Sequence, residues 1–412
     1  DTKAIDAPAI EPIAKGYNTS PLTLKWNAVV DKHNTENVIT YVLQWAKDAG
    51  FSGAHDVTIG AAQGTQYEFH FTDLDKGESE YWFRVKTIST VNGTTTPPET
   101  KESGWSAIVS TIYDVTPPAA PVLTLESKNP TSESTQEWTW TRPVDAVNYD
   151  LYWSETEDST PGPLTTPSAA GVGNINLYYT SFANPGEEKT YYVWVRGIDA
   201  LGNKGRWSST IPNITSVTVD MKAPVPPENL QLASQHIVDT EGRRYTADAT
   251  PKVTWNGPED AAHYDVWLDG KYWISTGSTE YEFTEGLPDG EHAVKVASVD
   301  ALGNSDGYSD ELVFVVDTTP PEAPGMPRAE SPTANRRPTW TWNATSGAAT
   351  YRVFLDGVAQ PAGQPNGTPQ PGTTFMPAAD LADGWHDLQV TAIDALGNES
   401  AKSAAGSVFV DG

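Results

Sequence analysis

The segment Asp-Ala-Leu-Gly-Asn occurs at Asp199–Asn203, Asp300–Asn304 and Asp394–Asn398, in steps of 101 and 94 residues. Each copy sets a carboxylate and an amide four residues apart. A further Asp heads each of three proline-rich stretches, DVTPPAAP from Asp114, DMKAPVPP from Asp220 and DTTPPEAP from Asp317. Carboxylates, amide oxygens and backbone carbonyls are the all-oxygen ligand set that Ca²⁺ takes. Asp114, Asp199, Asn203, Asp220, Asp300, Asn304, Asp317, Asp394 and Asn398 are therefore candidate calcium ligands, with the ion shared between a loop and the adjoining joint. A structural explanation stands beside this one. The Asp can accept backbone N–H groups in an Asx turn, Leu can plug the end of a core, and Gly and Asn tolerate positive φ.

Other residues offer less chemistry. The seven histidines, His33, His55, His70, His236, His263, His292 and His386, have neither metal-ligand spacing nor a repeated Ser or Asp partner. His292 and His386 hold equivalent places just after Asp-Gly and read as strand positions. No GxSxG, Walker, HExxH or dinucleotide-type glycine pattern occurs. A glycosidase carboxylate pair needs a cleft, which small repeated sandwiches rarely provide. The chain is expected not to be an enzyme and to require no cofactor beyond possible Ca²⁺ at the joints.

Fifteen tryptophans are present. Trp26, Trp140, Trp255 and Trp342 share one strand position, and Trp82 and Trp194 lie on an alternating strand where burial is the default. Trp105 and Trp207, each followed by Ser, match as starts of a last strand. Trp153 beside Tyr152 and Trp273 beside Tyr272 fit packing less readily and are the candidate glycan platforms.

The period of about 100 residues is the size of a domain that folds around its own core. The 412 residues divide into 1–113, 114–219, 220–316 and 317–412. Short alternating segments separated by turn residues, with no sustained helical period, predict an all-β protein. In the third block the expected strands are 252–255, 264–268, 271–275, 280–283, 292–298 and 311–316. Asp269-Gly270 joins the second and third of these as a hairpin turn with positive φ at both centres. The fourth block repeats the register around Asp356-Gly357. The second carries an insertion over Asp158–Gly173, rich in Pro, Gly and Ser, and the first lacks the Asp-Ala-Leu-Gly-Asn segment.

Each block also has a Tyr opening the third strand (Tyr41, Tyr149, Tyr264, Tyr351). A Leu- or Pro-plus-Gly turn then leads into an alternating run such as LDKGESEYWFRVKT from Leu74 or LPDGEHAVKVASVD from Leu287. Together these features resemble bacterial fibronectin type III or related Ig-like repeats. The resemblance implies four tandem β-sandwiches in an elongated array. It says little of function, since such domains serve as spacers, adhesin stalks and enzyme appendages alike.

Composition narrows the role. With 54 acidic and 26 basic residues the formal charge is −28, which repels nucleic acid and anionic membrane. Cysteine is absent, so disulfides and thiolate metal sites are unavailable. No stretch approaches 18 apolar residues, so membrane insertion is not expected, and any export signal or anchor is expected outside this sequence. The acidic, Thr-, Ser-, Pro- and Gly-rich composition leans extracellular. Proline at the joints restricts φ and extends the preceding residue, giving stiff spacers.

The expected function is a non-catalytic, rigid spacer or stalk of a cell-surface adhesin, or a subunit of a surface filament. Both ends match joint signatures, so its partners would be other copies, flanking repeats or a cell-surface glycan or protein. The rival reading is a carbohydrate-binding region attached to a polysaccharide-active enzyme. Asn-x-Ser/Thr sequons stand at Asn18, Asn92, Asn213, Asn343, Asn366 and Asn398.

Overall fold

A computed structural model describes residues 4–61, 64–91, 97–157, 161–208, 215–361 and 367–412. Asn92, Asn213, Asn366 and the first residues of the 158–173 insertion lie outside the described residues. The protein is all-β: no helix occurs among the described residues, and so none long and apolar enough to cross a membrane. The chain divides into two compact units, Asp1–Asp220 and Met221–Gly412.

In the first unit Val38–Ala46 pairs antiparallel with Ser79–Thr90, Val38 opposite Thr90 and Ala46 opposite Trp82. His55–Ile59 flanks this pair on one side and Val109–Tyr113 on the other, with Gly16–Tyr17 parallel beyond. Leu22–Asn27 and Gln66–Phe71 form a second sheet, and Leu22, Leu24, Trp26, Tyr41, Leu43, Phe83 and Val85 bury their side chains between the two. Along Ser79–Thr90 every second residue from Tyr81 is buried. A second sheet pair follows: Thr135–Trp140 with Leu123–Leu125 and Leu177–Ser181, and Glu188–Ile198 between Asn148–Ser154 and Ser216–Asp220.

The second unit repeats the arrangement. Lys252–Asn256 lies between Glu228–Leu232 and Glu280–Glu282, opposed by a six-stranded sheet centred on Leu312–Val316, Gly290–Val299 and His263–Leu268. Beyond it, Trp340–Thr341 pairs with Thr374–Phe375, and Gly384–Ile393 lies between Thr350–Leu355 and Gly406–Val410. These strands reproduce the sequence expectation to within a few residues. Several short strands come in addition, among them Gly16–Tyr17, His55–Ile59, Ile237–Val238 and Arg244–Thr246.

Three devices recur. Trp26, Trp140, Trp255 and Trp342 are each buried against the tyrosine that opens the third strand, with ring centres 5.7, 5.3, 5.5 and 5.7 Å apart. Each indole N–H is buried without an acceptor among the described residues, so ring contact and apolar burial hold the side chain in place. The turns Asp269-Gly270 (φ 51 and 76°) and Asp356-Gly357 (φ 48 and 79°) take positive φ at both centres as expected.

The third device explains the Trp-Ser segments. Ser106, Ser208, Ser309 and Ser403 each take a hydrogen bond on Oγ from a strand N–H, those of Val85, Val195, Val296 and Val390, at 3.0–3.1 Å. Each serine N–H donates back to the same residue's carbonyl. The hydroxyl thus supplies the acceptor that the partner backbone would otherwise provide.

Candidate functional site

Since the repeated Asp-Ala-Leu-Gly-Asn segment is the most constant chemistry in the chain, its geometry bears most on function. Asp199 is buried, and its Oδ1 accepts from the N–H groups of Leu201 (2.9 Å) and Asn203 (2.8 Å). Asp300 repeats this with Leu302 and Asn304 (2.8 Å each), and Asp394 with Leu396 and Asn398 (2.9 Å each). The glycines Gly202, Gly303 and Gly397 have φ of 88, 89 and 97°, which closes the turn. Burial works to raise the Asp300 pKa, but the side-chain and backbone hydrogen bonds of Asn304, with the N–H groups of Leu302 and Gly303, hold it below the ordinary value.

The asparagine does a second job. Asn203 Nδ2 donates to Asp199 Oδ2 (2.7 Å) and to the backbone carbonyl of Asp114 (2.9 Å), the residue that heads the first proline-rich joint. Asn398 Nδ2 does the same toward Asp394 Oδ2 (2.9 Å) and the Asp317 carbonyl (2.8 Å). Asn304 Nδ2 donates to Asp300 Oδ2 at 2.8 Å. Both partners of each bridging amide are acceptors only, so the nitrogen, not the oxygen, must face them.

The calcium candidates are thus brought together in part. Asp199 with Asn203, Asp300 with Asn304, and Asp394 with Asn398 converge. Asp114 and Asp317 reach their loops through carbonyls, while their carboxylates accept the N–H groups of Thr116 (2.9 Å) and Thr319 (3.1 Å) two residues on. Asp220 ends the strand Ser216–Asp220 and donates its N–H to the Thr131 carbonyl at 2.9 Å. Among the described residues no three His, Cys, Asp or Glu side chains gather as a metal-ligand set. The amide NH₂ of Asn203 stands between the two oxygens that a cation would share. A calcium ion there requires that amide to turn its oxygen inward and give up both hydrogen bonds.

In the first copy the motif's leucine faces the preceding sheet pair. Leu201 is half-buried and lies against the first sheet pair: a Cβ added to Gly16 would stand 2.3 Å from Leu201 Cδ2. Beside it Asn18 Nδ2 donates to the Leu201 carbonyl at 2.6 Å. The joint itself passes close by, since a Cβ on Gly205 would meet the Pro118 carbonyl oxygen at 2.6 Å. Loop, joint and first sheet pair are therefore in direct contact within the first unit.

The glycan candidates pack inward. Trp153 is half-buried, edge-on to Phe182 at 6.0 Å, and Phe182 stacks on Tyr191 at 3.9 Å. Trp273 packs on the third core, donates Nε1 to the Tyr281 hydroxyl (3.1 Å) and lies 5.8 Å from Phe283. Strand alternation turns the neighbouring Tyr152 and Tyr272 to the opposite face. The most exposed tryptophan ring is Trp385, 68% exposed and 5.3 Å from Phe409, a position the sequence reading did not single out.

His292 and His386 are not simple strand positions. His292 Nδ1 lies 2.9 Å from Asp269 Oδ2 and Nε2 2.9 Å from the Pro288 carbonyl. His386 repeats this with Asp356 Oδ2 (2.6 Å) and the Ala382 carbonyl (2.9 Å). The carboxylates' other oxygens accept the N–H groups of Ala293 and Asp387, tying hairpin turn to strand. Burial works to lower the His386 pKa, but its bonds to the Asp356 carboxylate and the Ala382 carbonyl outweigh it and raise the value above the ordinary one.

No family model matches the chain, and no curated protein matches it. Among solved structures it is similar to the FN1–FN3 domains of chicken CNTN1, at 14% sequence identity over 72% of this chain and 100% of that one, with a TM-score of 0.30. The all-β, many-sheet architecture rests on the sheets described above.

Proposed function

We propose that the chain is a non-catalytic spacer: four tandem fibronectin type III-like or Ig-like sandwiches that form a stiff stalk or filament segment at the cell surface. One observation carries this reading. The motif repeated most faithfully spends its side chains on the joint, as Asn203 holds the Asp114 carbonyl at 2.9 Å and Asn398 the Asp317 carbonyl at 2.8 Å. Such a device fixes one domain to the chain entering it. Proline at the joints and a net charge of −28 support the same role, the first by limiting bending and the second by keeping copies apart in solution.

The test is single-molecule pulling between the chain ends. Four unfolding events are expected, each releasing roughly 300 Å, since about 100 residues extend by about 3.5 Å apiece less the folded length. Two events of double size would show that the mechanical unit is not the single sandwich and would overturn the four-domain stalk.

A further inference from the structure

The outward face of the six-stranded sheet in the second unit carries an aromatic cluster around one ammonium group. Lys295 Nζ lies 4.0 Å from the Tyr308 ring centre and 5.8 Å from that of Trp267. Tyr272 and Tyr308 stand edge-on to Trp267 at 6.0 and 5.5 Å. Tyr272 is 53% exposed, Tyr308 40% and Ile274 37%. Among the described residues no carboxylate pairs with Lys295.

The equivalent face of the second sheet pair shows what such a cluster accepts. Tyr152 faces Trp194 across its strand pair as Trp267 faces Lys295, and Trp207 precedes Ser208 as Tyr308 precedes Ser309. There the cluster is closed: Trp194 is 1% exposed, Arg196 2% and Trp207 8%. The cover includes the insertion's own segment Pro-Gly-Pro-Leu-Thr-Thr-Pro-Ser-Ala, 161–169. Its backbone meets the cluster through carbonyls, Gly162 accepting from Trp207 Nε1 (3.0 Å) and Pro163 from Arg196 Nη1 (2.8 Å). Ser168 Oγ accepts the Trp153 N–H at 3.1 Å, and Ala169 bridges to Leu151. The third block has the two-residue turn Asp269-Gly270 where the second has this insertion, so its cluster stays open.

We propose that the Trp267–Tyr272–Lys295–Tyr308 face binds an extended, proline- and glycine-rich peptide from a partner, in the way the second sheet pair holds its own 161–169 segment. Proline-rich chain is already extended and leaves its carbonyls free of internal hydrogen bonds, so ordering it costs little and its oxygens complement a cationic, donor-bearing aromatic face. The rings meet near 82–83°, which makes notches for proline rings rather than the coplanar platform on which sugars stack. The partner supplies acceptors, and Lys295 and the Tyr308 hydroxyl supply donors.

The probe is a synthetic nine-residue peptide of the 161–169 sequence, titrated into the full chain and followed by NMR of the tryptophan indole N–H groups. Saturable binding that moves the Trp267 resonance is expected, weakened roughly tenfold or more by Tyr308→Ala and by Lys295→Glu. A peptide with its three prolines replaced by alanine should bind several-fold less tightly. Thermal melts of both variants, with Tyr308 exposed and Lys295 half-buried on the outward face, should match the parent and so separate lost binding from lost folding. No saturable shift in the parent chain overturns the proposal, as does peptide binding untouched by Tyr308→Ala. Binding of an oligosaccharide, or pairing of two copies through this face with no uptake of peptide, equally overturns it.

Discussion

The four ladder serines show how much one hydroxyl can carry. Ser309 Oγ, buried, accepts the Val296 N–H at 3.1 Å where the strand has no neighbouring carbonyl in place. Ser309→Ala leaves that N–H without its partner, and a loss of about 1–3 kcal/mol is expected by chemical denaturation. The histidine latch makes a pH-dependent prediction. Both nitrogens of His386 face acceptors, a set that only the imidazolium satisfies in full. With the folded pKa raised above the ordinary value, its stabilisation is fully present below about pH 6.5 and is lost as pH rises through the folded pKa. Melting temperatures of the parent and His386→Gln should therefore differ most at mildly acid pH and converge in alkali. A gap that widens toward alkali would contradict the latch. His292 and His386 were legible as equivalent positions, but not as latches. Asp356 lies 30 residues from His386, and the second partner is a backbone carbonyl that no residue type encodes.

Among the elements, the long strands were readable because each carries its own alternation, as in Ser79–Thr90 and Gly290–Val299. The Asp-Gly turns were equally plain, for positive φ at two successive residues suits few other pairs. Gly357→Ala should cost about 1–2 kcal/mol, since an L-residue there takes a left-handed conformation at φ 79°; an unchanged denaturation midpoint would show that the turn relaxes. Short strands escaped because their pairing is set by the partner: Arg244–Thr246 has no alternation of its own and joins by lying parallel to Leu312–Val316. Trp153 and Trp273 were placed on strands correctly, yet which face each side chain takes depends on a register that only the paired strand fixes. A sharper test of element packing lies at Gly205. Its close approach to the Pro118 carbonyl leaves no room for a methyl group, so Gly205→Ala should cost about 1–3 kcal/mol. Limited proteolysis should then cut the 114–121 joint sooner than in the parent. Equal rates would place the strain elsewhere.

For the whole molecule, the repeats themselves were the clearest signal in the sequence, while the use made of them was not. Asp and Asn at a four-residue spacing suit either an ion or a turn. The joint presents the Asp114 and Asp317 carbonyls to the amides and turns both carboxylates to the threonines that follow, an arrangement that supports the turn. Hydrogen bonds of this kind each contribute about 0.5–1.5 kcal/mol, enough to bias a joint whose prolines already restrict φ. On the proposed stalk reading, amides rather than an ion hold these joints. This is tested most directly by small-angle X-ray scattering of the parent chain and of the Asn203→Ala/Asn398→Ala variant, each in Ca²⁺ and in excess EDTA. The expected result is a parent whose profile is the same in both buffers, and a variant that shows greater flexibility in both. A parent that loosens only when EDTA removes the ion, with a variant no looser than the parent, would contradict the account and return the joints to calcium.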